Sequence, residues 1–102
     1  MTHPTVQIDD VIHQRVRLGI LAMLVEADAA DFTFLRDSLE LTDGNLSRHL
    51  QVLEDAGLVT IKKRFEGKKP RTWVRATKKG RSALAGHLRT LKALIDQVGG
   101  GQ

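Results

Sequence analysis

Asn45, Ser47, Arg48 and Gln51 fall within seven positions and carry side chains suited to reading a hydrogen-bonding surface. Arginine pairs bidentately with guanine, asparagine or glutamine with adenine, and serine with a base edge or a phosphate, so the set suits a helix lying in a major groove. Thr42 and His49 flank the set and suit phosphate or the groove wall, where the free amides of a helix N-terminus also attract phosphate. The same residue types are common on an ordinary solvated helix face, which is the competing reading. Downstream, Lys62, Lys63, Arg64, Lys68, Lys69 and Arg71 set six cations against one acid, Glu66. That density repels itself unless an anion meets it, and contacts of this kind to a nucleic-acid backbone or minor groove give affinity more than specificity. A charged edge hairpin can instead serve only to prevent aggregation.

Other chemistries find no residues. There is no paired carboxylate and histidine set, no glycine-rich phosphate loop and no cysteine nucleophile, so no catalytic residue and no cofactor is expected. The absence of cysteine excludes disulfides, thiolate metal sites and thiol redox sensing. The 102 residues predict one domain, and the net charge of +4 is unevenly placed. Residues 1–41 hold three Lys/Arg against seven Asp/Glu, residues 42–81 eleven against four, and residues 82–102 two against one. An acidic part beside a basic part describes a protein with one side turned to a polyanion, and nucleic acid is the commonest. The N-terminus lacks the order of a signal peptide, and the longest apolar run, Leu18–Val25, is well short of the roughly 20 residues that span a bilayer. A cytoplasmic protein without membrane contact is expected.

The elements that must position these residues follow from periodicity. The stretch from Leu41 to Val59 predicts the central helix: Thr42 as N-cap, Leu46, Leu50 and Leu53 as its apolar stripe, Gly57 as a left-handed stop. Gly44, Arg48, Gln51 and Asp55 then lie opposite the stripe, with Asn45, Ser47 and Val52 beside them. Before it, residues 8–26 predict a first helix with Ile8, Val11, Ile12, Val16 and Ile20 at helical spacing, and Asp9 and Asp10 near its start. Its second half, LGILAMLV, is apolar nearly all round, which predicts a helix wedged between the domain's core and a second surface such as another copy of the chain. Ala27–Ala30 reads as a connector, and Asp31 as the cap of a short helix with Phe32, Leu35 and Leu39 inward; Phe34 is off that stripe. With a tight link at Glu40–Asp43, residues 31–57 form a helix-turn-helix.

At Leu58 the period changes to two. Residues 58–76 predict a hairpin whose first strand buries Val59, Ile61 and Phe65, with Lys63 interrupting. Glu66–Lys69 forms the turn with Gly67 at positive φ, Pro70 sits where no ladder donor is needed, and the second strand runs Arg71–Ala76. Thr72, Val74 and Ala76 share one face, Arg71, Trp73 and Arg75 the other. Thr77 caps a last helix over 77–98, where Leu84, Leu88, Leu91, Ile95 and Val98 step by four and three, the spacing of a coiled-coil seam, so a homodimer interface is expected there. The alternative is a helix packed on the chain's own core. Residues 99–102 are expected to be disordered.

With residues 31–81 read, the chain resembles winged helix-turn-helix transcription regulators of the broad MarR and ArsR type, closest to small stand-alone winged-helix proteins. The carrying segments are DFTFLRDSLELTDGNLSRHLQVLEDAGLV, IKKRFEGKKPRTWV and ATKKGRSAL, with Ala76 where leucine is usual. The resemblance implies an α+β, mainly α fold: a three-helix core plus a β-hairpin wing, with N- and C-terminal dimerisation helices. It implies a homodimeric DNA-binding regulator, a repressor on an inverted-repeat operator, partnered by double-stranded DNA. A winged-helix adaptor for protein or RNA is the rival. The family's larger ligand-sensing members use additional helices, so effector binding is not implied, and no motif matches its metal sensors. His13 and His87 could meet between the terminal helices, but a lone helical histidine is far more often a surface or interface residue than a ligand, so no metal is expected.

Overall fold

The computed structural model describes residues 11, 12 and 14–99, and everything below concerns those residues. Four helices, α1 (Arg15–Ala27), α2 (Phe32–Ser38), α3 (Asp43–Asp55) and α4 (Lys78–Gly99), surround one face of a sheet of three strands, β1 (Ala29–Asp31), β2 (Val59–Glu66) and β3 (Lys69–Ala76). The strands are antiparallel in the order β1-β3-β2, so β3 is central. Ile12, Ile20, Leu21, Leu24, Leu35, Leu46, Leu50, Leu53, Val59 and Val74 are fully buried and form one core with Ala30, Leu58 and Leu84.

The expected caps are in place. Asp31 Oδ1 accepts from the Phe34 amide at 2.8 Å, and Thr42 Oγ1 from the Asn45 amide at 3.1 Å. Gly57 has φ +77°, and the two bonds that define a Schellman stop accompany it, from Leu58 N to Leu53 O and from Gly57 N to Glu54 O, each at 2.9 Å. The same pair of bonds ends α2, from Leu41 N to Arg36 O and Glu40 N to Asp37 O, although Glu40 rather than glycine holds the left-handed position at φ 54°.

Several expectations change. The first helix begins at Arg15, not Ile8: Val11 and Ile12 form a turn, and Ile8–Asp10 lie outside the described residues, as does His13. The Val11 carbonyl, which a longer helix would offer to the Arg15 amide, accepts instead from Arg17 Nε. Residues 29–31 are a strand rather than connector; Asp28 at φ 70° reverses the chain out of α1, and β3 supplies a template that alanines alone would not signal. The hairpin turn contracts to Gly67 and Lys68, since Glu66 and Lys69 pair across it; Gly67 at φ +65° in the first turn position fits a type II′ turn. Phe65 is 75% exposed, because the hairpin reaches beyond the helices that cover Val59 and Val74. Pro70 lies in the central strand, but β1 pairs only with Trp73–Arg75, so the outer edge of β3 is open there. Gly99 ends α4, and Gly100–Gln102 lie outside the described residues.

The wedged character of α1 is met largely within the protomer, since it packs on α3, α4, β1 and β3. Where α4 begins, Thr77 N donates to the Leu58 carbonyl at 3.0 Å, and Thr77 Oγ1 donates to Gly57 O at 2.7 Å while accepting from Gly80 N at 2.9 Å. A Cβ on Gly80 would stand 2.1 Å from Leu58 O, so only glycine permits this crossing. Lys79 Nζ adds a bond to Ala56 O at 3.0 Å, a cation on the negative end of α3.

Candidate nucleic-acid interface

Capping at both ends fixes the orientation of α3, and its leucine stripe pins the inner side, so the opposite side is presented to solvent as a rigid surface. Asn45, Ser47, Arg48 and Gln51 are all exposed, together with Gly44 and Asp55. Arg48 Nη2 donates to Asn45 Oδ1 at 3.2 Å and Gln51 Nε2 to Asp55 Oδ1 at 2.8 Å. Side-chain pairs one turn apart on a helix contribute only about 0.2–0.5 kcal/mol each, so both can be exchanged for stronger partners. Thr42 is exposed, though its hydroxyl is engaged as the cap. Asp43 would repel phosphate from the N-terminus of α3, but Arg36 holds it at 2.8 Å while also meeting Asp37 at 3.0 Å. The hydrogen bond to Asp43, then that to Asp37, hold the Arg36 guanidinium still more firmly protonated than usual.

His49 departs from its expected place. It is 8% exposed, and its Nδ1 lies 3.5 Å from Arg17 Nη1, so it packs beneath α1 rather than facing a groove. Position 49 is three beyond Leu46 and four before Leu53, which puts it on the flank of the buried stripe. Burial, then the charges of Arg17 and Arg48, lower its pKa below the usual 6.5.

The six wing cations are not one patch. The pleat turns Lys63 to the side of Val59 and Ile61, next to Phe65, and Lys62 and Arg64 to the opposite side, with Arg71 and Lys69 across from Arg64 and Glu66. Lys68 occupies the turn. All six are exposed, and Arg71 lies 3.5 Å from both Asp31 and Glu66, so its charge is partly balanced. Trp73 and Arg75 share the outer side with Lys62 and Arg64, as their alternation with Thr72, Val74 and Ala76 predicts.

Leu84 does not belong to an exposed seam. It is 4% exposed within the protomer's own core, leaving Leu88 at 49% and Ile95 at 66% exposed, Leu91 half-buried between them, and Val98 exposed beyond. Buried His87 lies on the same helix near its middle. Among the described residues no group of three His, Cys, Asp or Glu could hold a metal ion, and no helix is long and apolar enough to cross a membrane.

Residues 16–95 match the family described as winged helix DNA-binding domain. The chain is 37% identical over 88 residues to an uncharacterised protein of Methanocaldococcus jannaschii, covering 86% of this chain and 96% of that one. Among solved structures it is similar to a transcriptional regulator homologue from Pyrococcus horikoshii OT3, with 38% identity, a TM-score of 0.83 and coverage of 87% and 88% of the two chains. A PadR family transcriptional regulator from Eggerthella lenta is 26% identical with a TM-score of 0.65, covering 78% of this chain and 77% of its own.

Proposed function

Because the chain belongs to the winged helix DNA-binding domain family, we propose that it is a homodimeric regulator of transcription that reads an inverted-repeat operator in double-stranded DNA. One observation carries the reading: a helix fixed at both ends presents Asn45, Ser47, Arg48 and Gln51 outward beside an exposed cationic hairpin. In this arrangement α3 enters a major groove and those four residues meet base edges, with Thr42 and the first turn against phosphate. Lys62, Lys63, Arg64, Lys68, Lys69 and Arg71 grip backbone or the adjacent minor groove. The second subunit joins through α4 by Leu88, Leu91 and Ile95, which the protomer leaves wholly or partly uncovered. Repression asks least of such a molecule, since occupying an operator over a promoter excludes polymerase sterically. Its place of work is the compartment that holds the chromosome, the cytoplasm of a bacterium or archaeon.

The test is selection of bound duplexes from a random pool, followed by a footprint and a salt titration on the selected site. A two-fold dimer predicts half-site centres about one helical turn, roughly 10 bp, apart. With about six to ten phosphate contacts per dimer, affinity falls by on the order of 10³ to 10⁵ between 50 and 200 mM salt. A single asymmetric half-site would overturn the dimeric arrangement, and affinity nearly flat in salt would favour a protein adaptor.

A further inference from the structure

The face of the sheet turned away from the core carries an indole, Trp73, to which duplex reading gives no role, beside cations that the wing also offers to duplex DNA. Trp73 stands at its centre in β3, with Lys62 opposite on β2 and Asp31 opposite on β1. Thr60, Arg75 and Ala29 form the next row on one side, and Arg64 with Arg71 the next on the other. Ala29, Thr60, Lys62, Arg64, Trp73 and Arg75 line one half-open depression. Arg75 is shared with Asp28 at 3.4 Å, while Lys62 and Arg64 enter no ion pair among the described residues.

An indole between cations on an open sheet is a stacking platform for a base, with positions at its rim for phosphates. The shape decides between ligands. Small molecules bind in clefts that bury about 70–90% of their surface, and a half-open depression covers less than that of such a ligand. A polymer gathers contacts along the face instead: the cations from Arg75 to Lys69 span seven residues of strand, six steps or about 20 Å at ~3.3 Å per residue. A duplex keeps its bases stacked and offers an indole no free ring face without unpairing. We propose that the outer face of the sheet binds a single-stranded nucleic acid segment, one base stacking on Trp73 and its neighbouring phosphates held by Lys62 and Arg64. The site is independent of duplex reading by α3 and stands if that reading fails.

Trp73 is the one tryptophan of the chain, so its fluorescence reports occupancy directly. The probes are oligothymidylate and oligouridylate of about fifteen nucleotides, the length scale of single-strand sites on sheet platforms, thymidine monophosphate, and a duplex of similar length. Both strands, or one of them, should quench Trp73 saturably at low salt, the two arms separating DNA from RNA as the source, while the monophosphate at equal concentration should not. Trp73→Leu should weaken binding of a labelled strand about tenfold by anisotropy, Trp73→Phe much less, and Lys62→Glu with Arg64→Glu should abolish it. Arg48→Ala with Gln51→Ala should leave strand binding intact, which separates this site from the duplex surface. Absence of quenching, equal quenching by the duplex, equal affinity for the monophosphate, or unchanged strand affinity in a natively folded Trp73→Leu protein would each overturn the proposal. Should Trp73→Leu fail to fold, quenching of the wild-type protein together with the Lys62→Glu, Arg64→Glu protein decides the question.

Discussion

Protonating His49 should loosen the fold. Its folded-state pKa lies below the unfolded value of 6.5, because burial first, and the Arg17 and Arg48 charges after it, oppose the imidazolium. Between the two pKa values the unfolded chain binds more protons than the folded one, so stability is full above pH 6.5 and declines as pH falls from there toward the folded value. Urea midpoints measured across this range for the wild type and for His49→Gln should diverge in slope: the wild type loses stability on acidification, and the variant loses less. Parallel curves would mean that His49 does not titrate between the states. The histidine also shows how a residue's chemistry can mislead. Beside Arg48 in the sequence it has the chemistry of a phosphate contact, yet its three- and four-residue spacing from Leu46 and Leu53 places it with the leucines.

At the scale of elements, helix and hairpin divide the work of binding. Arg48→Ala and Gln51→Ala should each cost roughly 1–3 kcal/mol on a selected operator and little on non-specific duplex, since bidentate base contacts discriminate by about that much. Lys68→Ala and Lys69→Ala should weaken all duplexes alike and flatten the salt dependence. Measured affinities on operator and scrambled DNA over a salt series give both quantities; sequence preference that moved with the wing variants and not with the helix variants would reverse the assignment. The helices and hairpin were legible in the sequence because their signals are local: Thr42 and Asp31 as caps, Gly57 as a stop, alternation from Val59 onward. What the sequence hid was set by distant partners. Strand β1 exists because β3 pairs with it, Phe65 is exposed because the helices end short of the wing tip, and Leu84 is buried because α4 begins against Leu58. None of these is a property of a short window of sequence.

For the whole molecule, the unfinished surface is the outer half of α4. Leu88→Glu with Ile95→Glu places charges at two exposed positions that the protomer's core does not need, so the variant should stay folded and sediment as a monomer. An unchanged dimer mass would place the interface elsewhere, and a monomeric wild type would remove it. The joint at Leu58 gives such a dimer a further property. The end of α3 and the start of α4 are tied there by bonds from Thr77 and Lys79 to the carbonyls of Ala56, Gly57 and Leu58 and by the close approach that Gly80 permits, so a dimer joined by α4 would behave as calipers hinged at this joint. The 22 residues of α4 make an arm of about 33 Å at ~1.5 Å per residue. A tilt of about 10° at the hinge swings the far end by roughly 6 Å, close to two base-pair steps at ~3.4 Å each. Thr77→Ala, which removes the hydroxyl bonding both Gly57 and Gly80, should therefore show its effect less in affinity for the best site than in tolerance. Across operators differing only in half-site spacing, the wild type should bind one spacing sharply and the variant a broader set, making a hydroxyl remote from the reading surface a determinant of which operators are occupied.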